Sequence, residues 1–163
     1  MNTLRHAVPG GTSQDQPAWP HVTQDVFTAA DRWVPAARQF TARALAGWGV
    51  TAEDAGLVVT ELASNAVRAA RGTACGQFLV RIRYRPSVVL LEVGDASTSV
   101  PVFAAPATAG EEHGRGLLLV ARLATGCGWY TGAGWKIVWA AVPAVSAAAA
   151  AGTDAAVPAG RAA

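Results

Sequence analysis

The segment from Phe78 to Asp95 constrains the fold more tightly than any other part of the chain. From Phe78 to Arg85 the residues alternate, with Val80, Ile82 and Tyr84 on one side and Arg81, Arg83 and Arg85 on the other. A period of two marks a half-buried β-strand. Pro86-Ser87 supplies a turn, and Val88 to Asp95 reads as the second strand. Parity divides this strand as well: Val89, Leu91 and Val93 share a face with Asp95, while Glu92 points the other way. Asp95 therefore extends an apolar row, where a carboxylate needs a partner. The arginine stripe reads as a solvated sheet face, more readily than as a nucleic-acid surface.

The flanking patterns supply the remaining elements. Val22 to Thr28 suits a short edge strand. Pro35 fits the first turn of a helix running to about Ala46 and closed by Gly47 and Gly49, with Phe40, Ala44 and either Trp33 or Leu45 as its apolar face. Thr51-Ala-Glu-Asp54 resembles a capping box, with Asp in place of the usual Glu, and opens a second helix that Gly72 ends. Ala96 to His113 is a run of small residues and prolines too long for a simple connector, which fits a lid. Gly114-Arg-Gly-Leu-Leu-Leu-Val-Ala-Arg-Leu123 reads as a short helix with a Gly-rich start. Strands near Trp129 to Thr131 and Lys136 to Val142 follow, with Gly132-Ala-Gly134 as their turn.

This order predicts the α/β class: a two-layer α/β sandwich with a mixed, mostly antiparallel sheet and helices on one face. One domain over residues 21–143 holds all of it. Residues 1–20, rich in Gly, Pro, Gln, Thr and Ser, read as a disordered leader, and residues 144–163, nearly all Ala, as a disordered tail.

Composition narrows the classes of function. With 163 residues, 52% hydrophobic and 15% charged, the chain can bury a substantial single core. A net charge of +2, carried by twelve Arg and Lys136, is too mild to argue for nucleic acid or an anionic membrane surface. No apolar run approaches the roughly 18 residues of a membrane span, and Met1 to Gly11 lacks the apolar core of a signal peptide, so a cytoplasmic location is expected. Cys75 and Cys127 form no CxxC and read as small packed hydrophobes. His6, His21 and His113 have no partners at metal-ligand spacing, which argues against zinc.

Three fragments carry chemistry. In Leu57-Val-Val-Thr-Glu-Leu-Ala-Ser-Asn65-Ala-Val-Arg68, Glu61 and Asn65 share one helix face about a turn apart. They lie at the margin of an apolar arc made by Val58, Leu62, Ala55, Ala66 and Val59. A carboxylate there can take a proton from a nucleophile, and an amide oxygen is a hard ligand suited to Mg²⁺. The plainer reading is a solvated polar pair. Asp95 at a strand end can accept from an exocyclic amine such as that of adenine, or be satisfied by turn amides. Gly114-Arg115-Gly116 at a helix start offers unobstructed backbone amides and a positive dipole, which favour phosphate. Arg115 can pair with phosphate oxygens or stay solvated. No GxxxxGK[ST] occurs and no GxGxxG follows a strand, which excludes a P-loop and a dinucleotide fold.

Taken in order, Glu-x-x-x-Asn on a helix, Asp-x-Ser after an apolar strand, a lid and Gly-x-Gly-Leu at a helix start resemble the nucleotide-binding boxes of the GHKL ATPase superfamily. That superfamily includes histidine-kinase ATPase domains and DNA gyrase. Val59-Thr-Glu-Leu-Ala-Ser-Asn-Ala-Val-Arg68 and Gly114-Arg-Gly-Leu-Leu-Leu-Val120 are similar to small stand-alone actinobacterial members that resemble anti-sigma-factor serine kinases. The resemblance covers about residues 25–142 and implies a Bergerat-type ATP-binding fold. It implies that Asn65 coordinates Mg²⁺ bridging the phosphates of ATP, and that Glu61 is the general base toward a protein serine or a water. Asp95 would read the adenine amine, with Ser97 beside it. Gly114, Arg115, Gly116 and Leu117 would hold the phosphates, Arg68 would face them, and Ala104 to His113 would form the lid.

Two positions depart from the superfamily pattern. Ser97 stands where the wider group has the Gly of Asp-x-Gly, although the small bacterial members often have Ser. Where Gly-x-Thr is common near the end, this chain has Trp135-Lys136-Ile137. The threonine hydroxyl that supports the adenine-binding Asp is then missing unless water or Ser97 replaces it. Lys136 could reach a phosphate, but a strand-end Lys reads more readily as solvated. The function implied is a Mg·ATP-dependent protein serine/threonine kinase acting on an antagonist protein in bacterial partner switching. Its partner is a protein (the antagonist, a sigma factor or both), with no nucleic acid and no membrane, and a homodimer is left open. The alternative is a catalytically weak ATP-gated module that sequesters a regulatory partner. Glu61 favours the kinase, and the altered Trp135-Lys-Ile segment favours the binder.

Overall fold

A computed structural model describes residues 19–71, 73–103 and 115–146. The leader through residue 18, Gly72, the lid from Ala104 to His113, Gly114 and the tail from residue 147 lie outside the described residues. The hairpin forms as its alternation requires. Strands β3 (Gln77–Arg85) and β4 (Val88–Asp95) pair antiparallel, from Phe78 opposite Asp95 to Arg85 opposite Val88. Pro86 precedes Ser87, whose φ of 74° gives the type II pattern of a proline followed by a left-handed residue. The Ser87 carbonyl accepts from the Ala144 N–H at 3.1 Å.

β4 becomes the central strand. With β1 (His21–Thr28), β5 (Gly126–Gly132) and β6 (Trp135–Pro143), the five-stranded order is β1-β3-β4-β6-β5, and these pairings are antiparallel. Gly132 pairs with Trp135, which leaves Ala133 and Gly134 as a two-residue turn. Their φ values of 51° and 79° are the left-handed pair that such a hairpin needs.

Helices α1 (Val34–Gly47), α2 (Ala55–Ala70) and α3 (Arg115–Leu123) cover one face of the sheet, with α2 between the other two and against β3 and β4. Enclosure by the sheet and two helices explains the width of its apolar stripe: Ala55, Val58, Val59, Leu62, Ala63, Ala66, Val67 and Ala70 are all buried. In α1 the buried positions are Val34, Ala37, Thr41 and Leu45, with the Thr41 hydroxyl donating to the Ala37 carbonyl at 3.0 Å. Phe40 and Ala44 flank this stripe, while Trp33 lies in a short 3₁₀ turn (Asp31–Trp33) and is exposed.

Four expectations need correction here, the last of them the arginine stripe. Thr51 does not cap α2. Val50–Thr51 is strand β2, paired with β7 (Val145–Ser146), and the helix starts after Asp54 with no side-chain cap. The ordered chain thus continues past residue 143, and Ala144 is buried in the core. Cys75 is exposed rather than packed.

The arginine stripe is not a solvated face. Parity places Glu92 on the same side, and the register puts it opposite Arg81. Its carboxylate is 1% exposed and accepts from Arg81 Nε at 2.7 Å, Arg81 Nη2 at 3.0 Å and the Tyr130 hydroxyl at 2.7 Å. Arg83 Nε lies 2.9 Å from the same carboxylate as a charge contact without hydrogen-bond alignment. A carboxylate this far from water must be paired, and the half-buried arginines do it. Arg85 instead stacks on Trp19, 5.0 Å from the ring centre.

Glu92→Ala strands two guanidinium groups and is expected to lower the unfolding free energy by about 3 kcal/mol, measured by urea denaturation. Burial first, then the hydrogen bond to Glu92, pushes the Tyr130 phenol up to about 12. Because the folded value lies above the unfolded one, the stabilisation is complete below pH of about 10 and is lost as pH rises toward 12. Phenolate absorbance is expected to show one late step near pH 12 that Tyr130→Phe removes.

Candidate functional site

α2 carries Glu61 and Asn65, both half-buried, and Arg68, which is exposed. Glu61 stands between the exposed Leu57 and the buried Val58, at the edge of the stripe that meets the sheet. Its carboxylate rests against the first turn of α3. A Cβ built on Gly116 would meet Glu61 Oε2 well inside contact distance, so glycine is what admits the carboxylate there. The next residue, Leu117, is buried in the core. Its side chain anchors α3, and only its backbone is available to a ligand. Arg115 opens α3, and Gly114 lies outside the described residues.

Asp95 ends β4 on the helix side of the sheet and is fully buried. Its Oδ1 accepts the Ser97 N–H at 2.8 Å, a turn amide of the kind expected. Directly across β6, Lys136 Nζ lies 3.1 Å from Asp95 Oδ2. The pair is an ion contact whose angles do not make a hydrogen bond, so Oδ2 accepts none from the described residues. Lys136 Nζ donates instead to Ser97 Oγ at 2.6 Å and Ser99 Oγ at 3.1 Å.

Lys136 is only 3% exposed, which overturns its expected solvation. The cause is register: Asp95 pairs with Lys136, so both side chains leave the sheet on one face. Ile137, where the GHKL pattern has threonine, points to the other face. There Gly94 makes room for it, since a Cβ on Gly94 would lie 2.6 Å from Ile137 Cδ1. The support expected of a threonine hydroxyl comes from the Ser97 amide and Lys136. Ser99 and the inward Lys136 were missed from sequence, yet a signal existed: Lys136, Val138, Ala140 and Val142 alternate as one row, three of them apolar.

The described residues form two half-sites. One joins Glu61, with Asn65 a turn along α2, to the first turn of α3. The other joins Asp95 to Lys136, Ser97 and Ser99. α2 lies along the face of β4 on which Asp95 sits, which links the halves. Chemically, the first offers a carboxylate, an amide oxygen and helix-start N–H groups, and the second offers a buried carboxylate oxygen without a hydrogen bond among the described residues, beside a neutralising cation. Among the described residues no three His, Cys, Asp or Glu side chains cluster as a metal cage. A cation at Asn65 must therefore take most of its ligands from water or from a bound phosphate, which is the habit of Mg²⁺. Elsewhere, burial pushes the Cys127 thiol up.

The model of the family described as "Histidine kinase-like ATPase domain" matches residues 27–142, from the end of β1 through β6. No curated protein matches the chain. No helix among the described residues is long and apolar enough to cross a membrane.

Removing either partner of the Asp95–Lys136 pair leaves a buried charge unopposed. Asp95→Asn and Lys136→Met are each expected to cost about 3 kcal/mol. The double variant is expected to be more stable than the sum of the two losses by at least about 1 kcal/mol, read by a denaturation cycle.

Proposed function

Because the chain belongs to the histidine kinase-like ATPase domain family, we propose that it binds Mg·ATP. We further propose that it acts as a protein serine/threonine kinase of the anti-sigma-factor type, with an antagonist protein of a bacterial partner-switching circuit as its substrate. The observation that carries the kinase half is Glu61 against Gly116. A carboxylate beside a phosphate-holding helix start repels the ligand's own charge. Such a group weakens a pure binder, and its presence is accounted for if it receives a proton.

The residues fit the ligand in a second respect: Asp95 Oδ2 is a buried acceptor with an ion contact to Lys136 but no hydrogen bond among the described residues, suited to an exocyclic amine. Asn65 would supply a neutral oxygen to the metal, and the N–H groups at the start of α3 would face the phosphates, with Arg68 nearby on α2. Mg·ATP supplies the transferable γ-phosphoryl group, with the metal offsetting its charge. In the transfer a serine Oγ gains the bond to phosphorus, the bond to the departing ADP breaks, and the serine proton passes to Glu61. The reading places the protein in the cytoplasm with a protein partner, and it needs neither nucleic acid nor membrane.

Labelled ATP with candidate antagonist proteins is the test. Glu61→Ala is expected to keep Mg·ADP affinity within about threefold while transfer falls by roughly 10²-fold or more. Asn65→Ala is expected to weaken Mg·ADP binding about tenfold or more. Unchanged transfer by Glu61→Ala removes Glu61 from the mechanism, and association without any transfer supports the sequestering module instead.

A further inference from the structure

We propose that the outer edge of β1, with the groove beside it, takes an extended peptide segment of a partner protein as an added strand. The segment sets one large aliphatic side chain in the groove and an acidic one against Arg43. The surface lies two strands from β4 and does not rest on the nucleotide reading.

Among the described residues β1 has one neighbour, β3, so its other side is a sheet edge. The ladder shows which backbone groups face that edge. The Ala29 N–H donates to the Gly76 carbonyl at 2.8 Å, continuing the pairing of Thr28 with Gln77. Odd-numbered N–H groups of β1 therefore face β3, and those of Val22, Gln24 and Val26 face outward. At Val26 the edge is blunted: Asp25 Oδ1 accepts that N–H at 2.8 Å. The device stops there, and Val22 and Gln24 are both exposed.

The unguarded stretch adjoins a groove of about 310 Å³ between β1 and α1, lined by Thr23, Phe40, Arg43, Ala44, Gly47 and Trp48. Packing fixes its aromatic walls. Phe40 meets Phe27 edge-on, with ring centres 6.0 Å apart, and Trp48 stacks on Tyr84 at 6.4 Å. Thr23 pairs with Ile82 and leaves the sheet on the helix side. In an added antiparallel strand, the residue across from Thr23 sits in the closer, non-hydrogen-bonded type of pair. Its side chain leaves on the same side, into the groove, and the residues before and after it turn toward the exposed Val22. Backbone bonds then give affinity and the groove gives specificity.

Charge sets the rest of the segment. Arg43 is exposed and has no ion pair among the described residues, and α1 carries two arginines and no acid. An acidic residue two places along the added strand, on the same face as the groove residue, complements it. A second copy of the chain is a poorer occupant. The helix-side residues of its β1 are His21, Thr23, Asp25 and Phe27, and Phe27 is already buried in its own core.

Fluorescence anisotropy of a labelled, end-blocked peptide, Thr-Thr-Val-Leu-Val-Glu-Thr, against the full chain tests this. Saturable binding is expected with Kd below about 1 mM. Gln24→Pro removes an outward N–H and leaves the β3 ladder intact, and is expected to weaken binding about tenfold or more. Arg43→Glu is expected to weaken it about threefold or more, and to bind the peptide carrying lysine for glutamate better than wild type does. Both positions are exposed, and circular dichroism checks that the variants are folded. No saturable binding, or Gln24→Pro binding as wild type does, overturns the strand addition. A dimer in sedimentation equilibrium that Gln24→Pro dissolves assigns the edge to a second copy and overturns it too.

Discussion

A carboxylate buried in a central strand has to find a cation, and β4 carries two, on opposite faces. Glu92 leaves the sheet on the side away from the helices and gathers Arg81, Arg83 and Tyr130. Asp95, three residues on, leaves on the helix side and meets Lys136. Neither could stand in the middle of a five-stranded sheet without its partner. Between them they pin the register on both sides of β4: a one-residue slip against β3 would carry Glu92 away from its arginines, and one against β6 would carry Asp95 away from Lys136. The apolar core sets which face the helices cover, and the two charged pairs oppose any sliding of the strands.

That pinning fixes the side chains at the end of β4, where the proposed site would lie. Asp95 is held by its own strand, by Lys136 from β6 and by the Ser97 amide beyond the strand end. The other half depends on a helix contact. Glu61 belongs to the best-buried helix of the fold, and α3 reaches it because Gly116 has no side chain and Leu117 is anchored in the core. One half-site is thus rigid through the sheet and the other through helix packing. The chain between Asp95 and α3 joins them.

The sheet was legible because alternation is a strong signal: the hairpin, its turn and the inward face of Asp95 all followed from parity. The middle helix was legible from the spacing of Val58, Leu62 and Ala66. Two-residue strands carry no period, so β2 and β7 were invisible, and Thr51 was taken for a cap when its backbone was pairing instead. Arg81 and Arg83 looked solvated because a single strand does not reveal what lies opposite. Glu92 is their partner only in the β3–β4 register, and Tyr130 comes from β5, three places from their own strand. Lys136 was misjudged for the same reason. Its residue type says surface, and only the pairing with Asp95 brings it inside. Glu61 and Asn65 were read from a helix wheel, which is a local argument, whereas the approach of Gly116 to Glu61 is a tertiary fact that no spacing contains.

The two half-sites differ in charge, and under the proposed function that difference would suit the two ends of a nucleotide. At the β4 end the carboxylate and ammonium cancel, so a flat, uncharged base can lie against them without facing a bare ion. At the α3 end nothing among the described residues pairs with Glu61, the helix start supplies a positive field, and Arg68 is exposed further along α2. That end holds an excess of acceptor, and phosphates arriving there would need a cation between them and the carboxylate. The amide oxygen of Asn65, one turn along the same face, is a neutral ligand for such a cation and adds no further negative charge. A second carboxylate at that position would bind the metal more tightly and repel the phosphates more strongly. Under the proposed function, asparagine would let one helix face carry both a proton acceptor and a metal ligand beside a polyanion.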